Sequence, residues 1–253
     1  MANRYNITFN TEAEYNTFKA SSGYVEPNVS YISGDNIVHY NPYVDPYAGH
    51  DYVEIGGLKW ATMNIGATGV TDYGLYFQWG DTQGYTIEET GNGEGYKYFG
   101  WNTYIYGDGT PSLANTGLSK YNETDTKTVM ELSDDAVNNA WGGKWRMPTN
   151  DEYQTLVDST TVVWTNDYEG SGIRGAIYTS KEDSSKKLFF PAGAAQYDYA
   201  DDNDCHYWSN TIFTTYHEYK EAYYMYVNKT AGTSVVSSCY RYWGGCMRGV
   251  LDA

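Results

Sequence analysis

The sequence predicts an α+β fold: a β-rich domain with long loops, interrupted midway by two helices, with a small β-rich appendage ahead of it. Three observations predict it. Helix-capping residues followed by apolar positions at helical spacing fall between residues 133 and 157 of the main domain. Short alternating or β-branched segments flank them on both sides. Gly, Asn, Thr and Tyr fill the intervals with no period, as loops do.

Taken in order, residues 4–9 alternate apolar and polar, which predicts a strand. Thr11-Glu-Ala-Glu14 matches a capping box and predicts a short helix to Lys19. Segments 25–32 and 36–40 flank Ser33-Gly-Asp35 and predict a hairpin. Pro42, Pro46 and Gly49 then break the pattern, placing a boundary at 46–51. Residues 1–48 thus form a unit too small to be stable alone. Its expected roles are packing on the main domain, homo-oligomerisation (as a trimer, for example), or anchoring in a larger assembly such as a virion.

The second unit, 52–253, opens with a hairpin over 53–60 and a strand over 74–79. Residues 82–122 are aperiodic and predict long surface loops. A helix follows over 133–141, with acidic residues in its first turn and Gly142-Gly143 at its end. Thr149-Asn-Asp-Glu152 is a second capping box, and Tyr153, Leu156 and Val157 continue it as a helix. Strands are predicted over 175–179, 187–191, 221–227 and 233–238.

Composition narrows the function. An apolar fraction of 41% over 253 residues supports a packed core. The chain carries 29 Tyr and 8 Trp, more aromatic surface than strand propensity alone explains. Tyrosine offers a large flat contact area, a hydroxyl that bonds in both directions and few torsions to freeze, all favourable on a binding surface. A net charge of −16 with no basic stripe excludes nucleic acid as a partner. No apolar run is long enough to insert in a membrane. The first residues lack the apolar centre of a secretion signal, so no signal peptide is expected. Cys205, Cys239 and Cys246 make no even framework and show no metal-ligand spacing, leaving one bridge or free thiols as alternatives.

Several motifs then occur together: Gly57-Leu-Lys-Trp-Ala-Thr-Met-Asn-Ile-Gly66, Tyr76-Phe-Gln-Trp-Gly80, Trp141-Gly-Gly-Lys-Trp-Arg-Met-Pro-Thr149, Tyr207-Trp-Ser-Asn210 and Gly244-Gly-Cys-Met-Arg-Gly-Val250. In order and spacing they resemble the Fibrobacter succinogenes major paralogous domain, of the formylglycine-generating-enzyme-like branch of the C-type lectin fold. The resemblance covers residues 52 to the C-terminus. It implies two helices, a small twisted sheet, and a ligand-binding face built by the last strands and the loop before them. The same branch supplies the variable proteins of diversity-generating retroelements, and this chain is similar to those of gut Bacteroidales and their phages. Glu26-Pro-Asn-Val-Ser-Tyr31 with His39-Tyr-Asn-Pro42 also resembles the openings of gut-phage structural proteins.

In such proteins adenine-directed mutagenesis of AAC or AAT codons never produces Lys, Glu, Gln, Met or Trp. Segments 198–207, 210–217 and 233–242 contain none of these. The second also puts Ile212, Phe213, Tyr216 and His217 where an ordinary loop favours Gly, Asn or Asp. The expected variable face is therefore Ile212, Phe213, Thr214, Thr215, Tyr216 and His217 beside Ser237, Ser238, Tyr240 and Tyr242, all facing solvent. Trp208 and Trp243 are expected as scaffold, because the codon rule excludes Trp from diversified sites. Trp141, Trp145 and Arg146 read as packing around the second helix.

Enzymes of the same branch use a C-terminal cysteine pair. Here only Cys239 and Cys246 are placed for it, without a Gly-Gly-Ser-Trp signature, so no catalytic residues are assigned. Asp198, Asp201, Asp202, Asn203 and Asp204 offer oxygen ligands, leaving Ca²⁺ as the one cofactor the sequence keeps open. An acidic surface loop is the plainer reading. The resulting expectation is a non-enzymatic protein that binds a protein or glycan on a host cell surface. Its expected setting is a phage tail or an extracellular adhesive surface; a formylglycine-type oxidase is the alternative.

Overall fold

The computed structural model describes residues 7–9, 17, 29–31, 38–40, 49–91, 94–110, 117–196, 199–201, 204–215, 219–229 and 234–252. The chain divides into two compact units, Met1–Gly49 and His50–Ala253. In the first, β1 (Ile7–Phe9), β2 (Val29–Tyr31) and β3 (Val38–Tyr40) form an antiparallel sheet in the order β1-β3-β2. The hairpin expected around Ser33 pairs as β2 and β3, with Val29 opposite Tyr40 and Tyr31 opposite Val38. Of the helix expected over 11–19, only Thr17 lies among the described residues, and it is helical.

The second unit is an α+β assembly of small antiparallel sheets. Strands β4 (Tyr52–Ile55) and β5 (Leu58–Asn64) form the expected hairpin. Two α-helices follow, α1 (Ala136–Trp141) and α2 (Asn150–Ser159). Next come β6 (Thr160–Thr165), β7 (Gly175–Ser180), β8 (Lys187–Pro191), β9 (Ala194–Gln196) and β10 (Tyr199–Asp201). The chain closes with β11 (Asp204–Phe213), β12 (Glu221–Asn228), β13 (Ser234–Tyr240), β14 (Gly244–Gly245) and β15 (Arg248–Asp252). The sheets run β15-β5-β4, β6-β7-β8, β10-β9-β14 and β11-β12-β13. Because β15 pairs with β5, Val250 lies opposite Trp60 and the end of the chain closes onto the unit's first hairpin.

Local chemistry explains both helices. Thr149 Oγ1 accepts the Glu152 N–H at 3.1 Å while a Glu152 carboxylate oxygen accepts the Thr149 N–H at 2.8 Å, a reciprocal capping box. Tyr153 and Leu156, one turn apart, are buried. Helix α1 starts later than the expected 133. Asp135 is its N-cap, accepting the Asn138 N–H at 3.0 Å, and its other oxygen accepts the Met147 N–H at 2.8 Å. Residues 132–134 are instead a 3₁₀ turn, with Asp134 drawn aside to Lys120 and Tyr121. Gly142 ends α1 at φ 67°, a conformation open to glycine.

Two other expectations need correction. Residues 74–79 form only isolated bridges, Tyr76 to Tyr85 and Phe77 to Gly245, because successive backbone groups bond to different segments. Residues 82–122 are not simply surface loops. Phe99, Trp101, Tyr104 and Tyr121 are buried, so aromatic anchors hold this long segment down. The main core runs from Trp60, Tyr153 and Leu156 through Tyr178 and Phe190 to Tyr207, Met225, Val227 and Val250. No helix among the described residues is long and apolar enough to cross a membrane.

Candidate functional site

The expected binding face lies on the sheet β11-β12-β13, and its geometry differs from the expectation in a way that sorts the residues. Segment 210–213 is not a loop but the end of β11, which runs on to Phe213 past an irregularity between Trp208 and Ile212. Nor do β11 and β13 lie side by side, since β12 is between them. The register aligns Ile212 with Ala222 and Ala222 with Cys239. The next row is Phe213, Glu221 and Tyr240. Side chains alternate between faces along a strand, so adjacent rows point opposite ways.

Alternation corrects one assignment, and the turn after β13 corrects another. Ile212 is only 3% exposed and belongs to the buried row with Ala222 and Cys239. Tyr242 is only 4% exposed, packed edge-on against Trp101 with ring centroids 5.0 Å apart. Both are core, because their neighbours fill the space that solvent would need.

The remaining described positions are open in differing degree. Thr214 and Thr215 are exposed; Phe213, Ser238 and Tyr240 are half-buried on one face, whereas Ser237, opposite Tyr224, is half-buried on the other. Phe213 meets Tyr223 edge-on at 5.3 Å, and Tyr240 stacks on Tyr242 at 5.7 Å. Ser238 donates its hydroxyl proton to Glu221 at 2.6 Å. Tyr216 and His217 lie outside the described residues, as do Asp198, Asp202 and Asn203. Among the described residues no group of three His, Cys, Asp or Glu is placed to hold a metal ion.

Under the face lies a fixed floor. Arg241 is fully buried, with its guanidinium over the rings of Trp79 and Tyr104. It donates to the Tyr104 hydroxyl and to the Tyr121, Tyr219 and Lys120 carbonyls. Arg248, also fully buried, does the same for the other side of the unit. It donates to Asn64 Oδ1 and to the carbonyls of Ala61 and Phe189.

Sequence reasoning missed a group on the opposite face of the same sheet. His206 lies 4.7 Å from Tyr224, 5.4 Å from Tyr226 and 5.9 Å from Trp243, ring centroid to centroid. His206, Tyr226 and Trp243 are half-buried rather than sealed. The Trp243 indole N–H is buried and has no hydrogen-bond partner among the described residues. The alternation Tyr224-x-Tyr226 signals a strand face, but only the register, His206 to Tyr226 and Trp208 to Tyr224, brings the histidine into it.

All three thiols are buried and free. Burial pushes Cys205 and Cys239 well above the ordinary thiol range. It also pushes Cys246 up to about 12, against a smaller opposing pull from Arg248. Each is therefore held as the thiol rather than the thiolate. No protein-family model matches the chain, and neither a curated protein nor a solved structure is significantly similar to it.

Proposed function

We propose that this chain is a ligand-binding protein whose C-terminal sheet is a diversifiable recognition face. On this reading it is a retroelement-diversified variable protein with a C-type lectin-like fold of the formylglycine-generating-enzyme-like branch. It serves as a phage tail receptor-binding protein or a surface adhesin, and its ligand is a protein or glycan on a host cell.

One observation carries the reading. Along β13, half-open Ser238 and Tyr240 point to the face that carries Phe213, while Cys239 between them points the other way and is buried, as are Arg241 and Tyr242 just beyond the strand. Open side chains thus sit directly beside buried ones along one short stretch of chain. Substitutions at the open positions spare the core, while aromatic and hydroxyl groups there supply anchors and adaptable contacts. The alternative, cysteine-based oxidation, needs an accessible thiolate. Cys239 and Cys246 offer buried thiols with raised pKa values, which favours the binding reading.

The test is to randomise Phe213, Thr214, Thr215, Ser238 and Tyr240 together and select against hen lysozyme as an arbitrary protein target. The expected outcome is a library mostly folded by thermal melt, yielding saturable binders. A library that is mostly unfolded sinks the reading. So does a genomic near-copy of the 3′ end whose adenine differences fall on the codons of Cys239, Arg241 and Tyr242.

A further inference from the structure

Arg241 grips two dipeptides that are far apart in the chain. It is fully buried, and its N–H groups serve four backbone carbonyls that fall into two pairs. Nη2 donates to the Lys120 carbonyl at 3.2 Å and Nη1 to the Tyr121 carbonyl at 2.9 Å. Nη1 also donates to the Tyr219 carbonyl at 2.9 Å, and the Arg241 backbone N–H donates to the Lys220 carbonyl at 3.1 Å. The residue is itself anchored, because its carbonyl accepts the Trp79 N–H at 2.9 Å and its Nε donates to the Tyr104 hydroxyl.

Each dipeptide contains an uncommon backbone conformation. Tyr121 has φ 55° and Tyr219 has φ 67°, two of the four non-glycine residues with positive φ among those described. A residue with a Cβ disfavours this left-handed region, so neither tyrosine adopts it without support. Local sequence supplies some at Tyr121, whose N–H donates to an Asp125 carboxylate oxygen at 2.6 Å. The support common to both is Arg241. Two carbonyl oxygens converging on one nitrogen repel each other, and the positive charge between them offsets that repulsion. Arginine suits the task because both Nη1 protons are fixed in the guanidinium plane, one for each oxygen.

The second dipeptide closes the connection between β11 and β12. Phe213, ending β11, lies opposite Glu221, which opens β12, and exposed Thr214 and Thr215 follow Phe213 directly. The strand pair sets the first end of this connection, and Arg241 grips its last two residues. A loop ordered before its ligand arrives costs less to bind with than one ordered on binding. We propose that Arg241 is a positioning residue for the recognition face. Seated against Lys120 and Tyr121, it holds Tyr219 in left-handed backbone and so presets the connection that offers Thr214 and Thr215 to a ligand. The positioning role rests on the reading of that face given above; the backbone lock does not.

Trypsin reads the lock directly, since the carbonyls it attacks after Lys120 and Lys220 are two of the four that Arg241 holds. In the native full chain, well below its melting temperature, Arg241→Lys is expected to speed both cleavages at least tenfold. They should also run at least tenfold ahead of cleavage after fully buried Arg248, which only global unfolding opens. Should Arg241→Lys fail to fold, Tyr219→Val makes left-handed backbone costlier and leaves the guanidinium in place. It is expected to speed cleavage after Lys220 at least threefold and leave Lys120 unchanged. The second arm uses a member of the randomised library selected to bind hen lysozyme. There Arg241→Lys should weaken affinity at least fivefold, although no part of Arg241 reaches the surface. Unchanged cleavage after Lys120 and Lys220, or cleavage no faster than after Arg248, overturns the lock. Faster cleavage with unchanged affinity overturns the positioning role. Failure to select any lysozyme binder removes the recognition-face reading and the positioning role with it, while the cleavage pattern still decides the lock.

Discussion

Arg241 Nε donates to the Tyr104 hydroxyl at 2.7 Å, and that hydroxyl donates onward to the Trp79 carbonyl at 2.8 Å. Burial pushes the Tyr104 phenol well up, only partly offset by the guanidinium, so the group stays neutral and can serve both partners. This relay ties three remote stretches of chain beneath the end of β13. Arg241→Lys keeps the charge but loses the planar fork that serves several acceptors at once. A loss of about 3 kcal/mol in unfolding free energy is expected, since an unpaired buried group costs on that order. Urea denaturation measures it, and a loss below about 1 kcal/mol would contradict the relay's structural role.

Tyr240 and Tyr242 are stacked neighbours on opposite sides of the boundary between surface and core. Tyr242→Ala is expected to destabilise the unit by about 3–5 kcal/mol, as deletion of a buried aromatic does. Tyr240→Ala should change stability by much less while removing about 2 kcal/mol of binding to a selected ligand. Melting temperature and affinity, measured on both variants, separate the roles. Equal destabilisation by the two would remove Tyr240 from the recognition face.

The Arg146–Glu152 pair carries a pH signature. Burial raises the Glu152 carboxyl, but hydrogen bonds from Arg146 and the Thr149 N–H outweigh it and leave the pKa below its ordinary 4.5. A carboxylate lowered on folding contributes stability that is present above its unfolded pKa and lost as pH falls through the folded one. Glu152→Gln should therefore be less stable than the parent at pH 7, by about 1–2 kcal/mol in unfolding free energy. The gap should close progressively below pH 4.5. A gap that persists undiminished at pH 2 would show that the carboxylate charge contributes nothing.

The buried thiols give a chemical prediction. A thiol-specific disulfide reagent at pH 8 should leave Cys205, Cys239 and Cys246 unreacted in the native chain and titrate all three in denaturant. Rapid native reaction of Cys239 or Cys246 would reopen the oxidase alternative.

Much of the fold was readable as text. The capping box Thr149-x-x-Glu152 located α2 because both partners lie within one turn of chain. The hairpins β2-β3 and β4-β5 were legible for the same reason, and Gly142-Gly143 marked the end of α1. Late strands could be found by their β-branched and aromatic content, though not their partners. Of the expected face, Phe213, Ser237, Ser238 and Tyr240 lie on the C-terminal sheet and are half-buried.

What local pattern could not decide was which side each residue faces and what lies beside it. Ile212 and Tyr242 read as surface residues, but the register places Ile212 opposite Ala222 and packing sets Tyr242 against Trp101. The 82–122 stretch read as loop because its aromatics show no period. Phe99, Trp101, Tyr104 and Tyr121 are buried singly, each against a remote segment, rather than as one face of a regular element. By itself the sequence determined the two mid-chain helices, the hairpins and the aromatic, acidic character of the chain, because those depend on neighbours within a few residues. Tertiary structure decided which aromatics are core and which are surface, because burial depends on contacts between residues far apart in the chain.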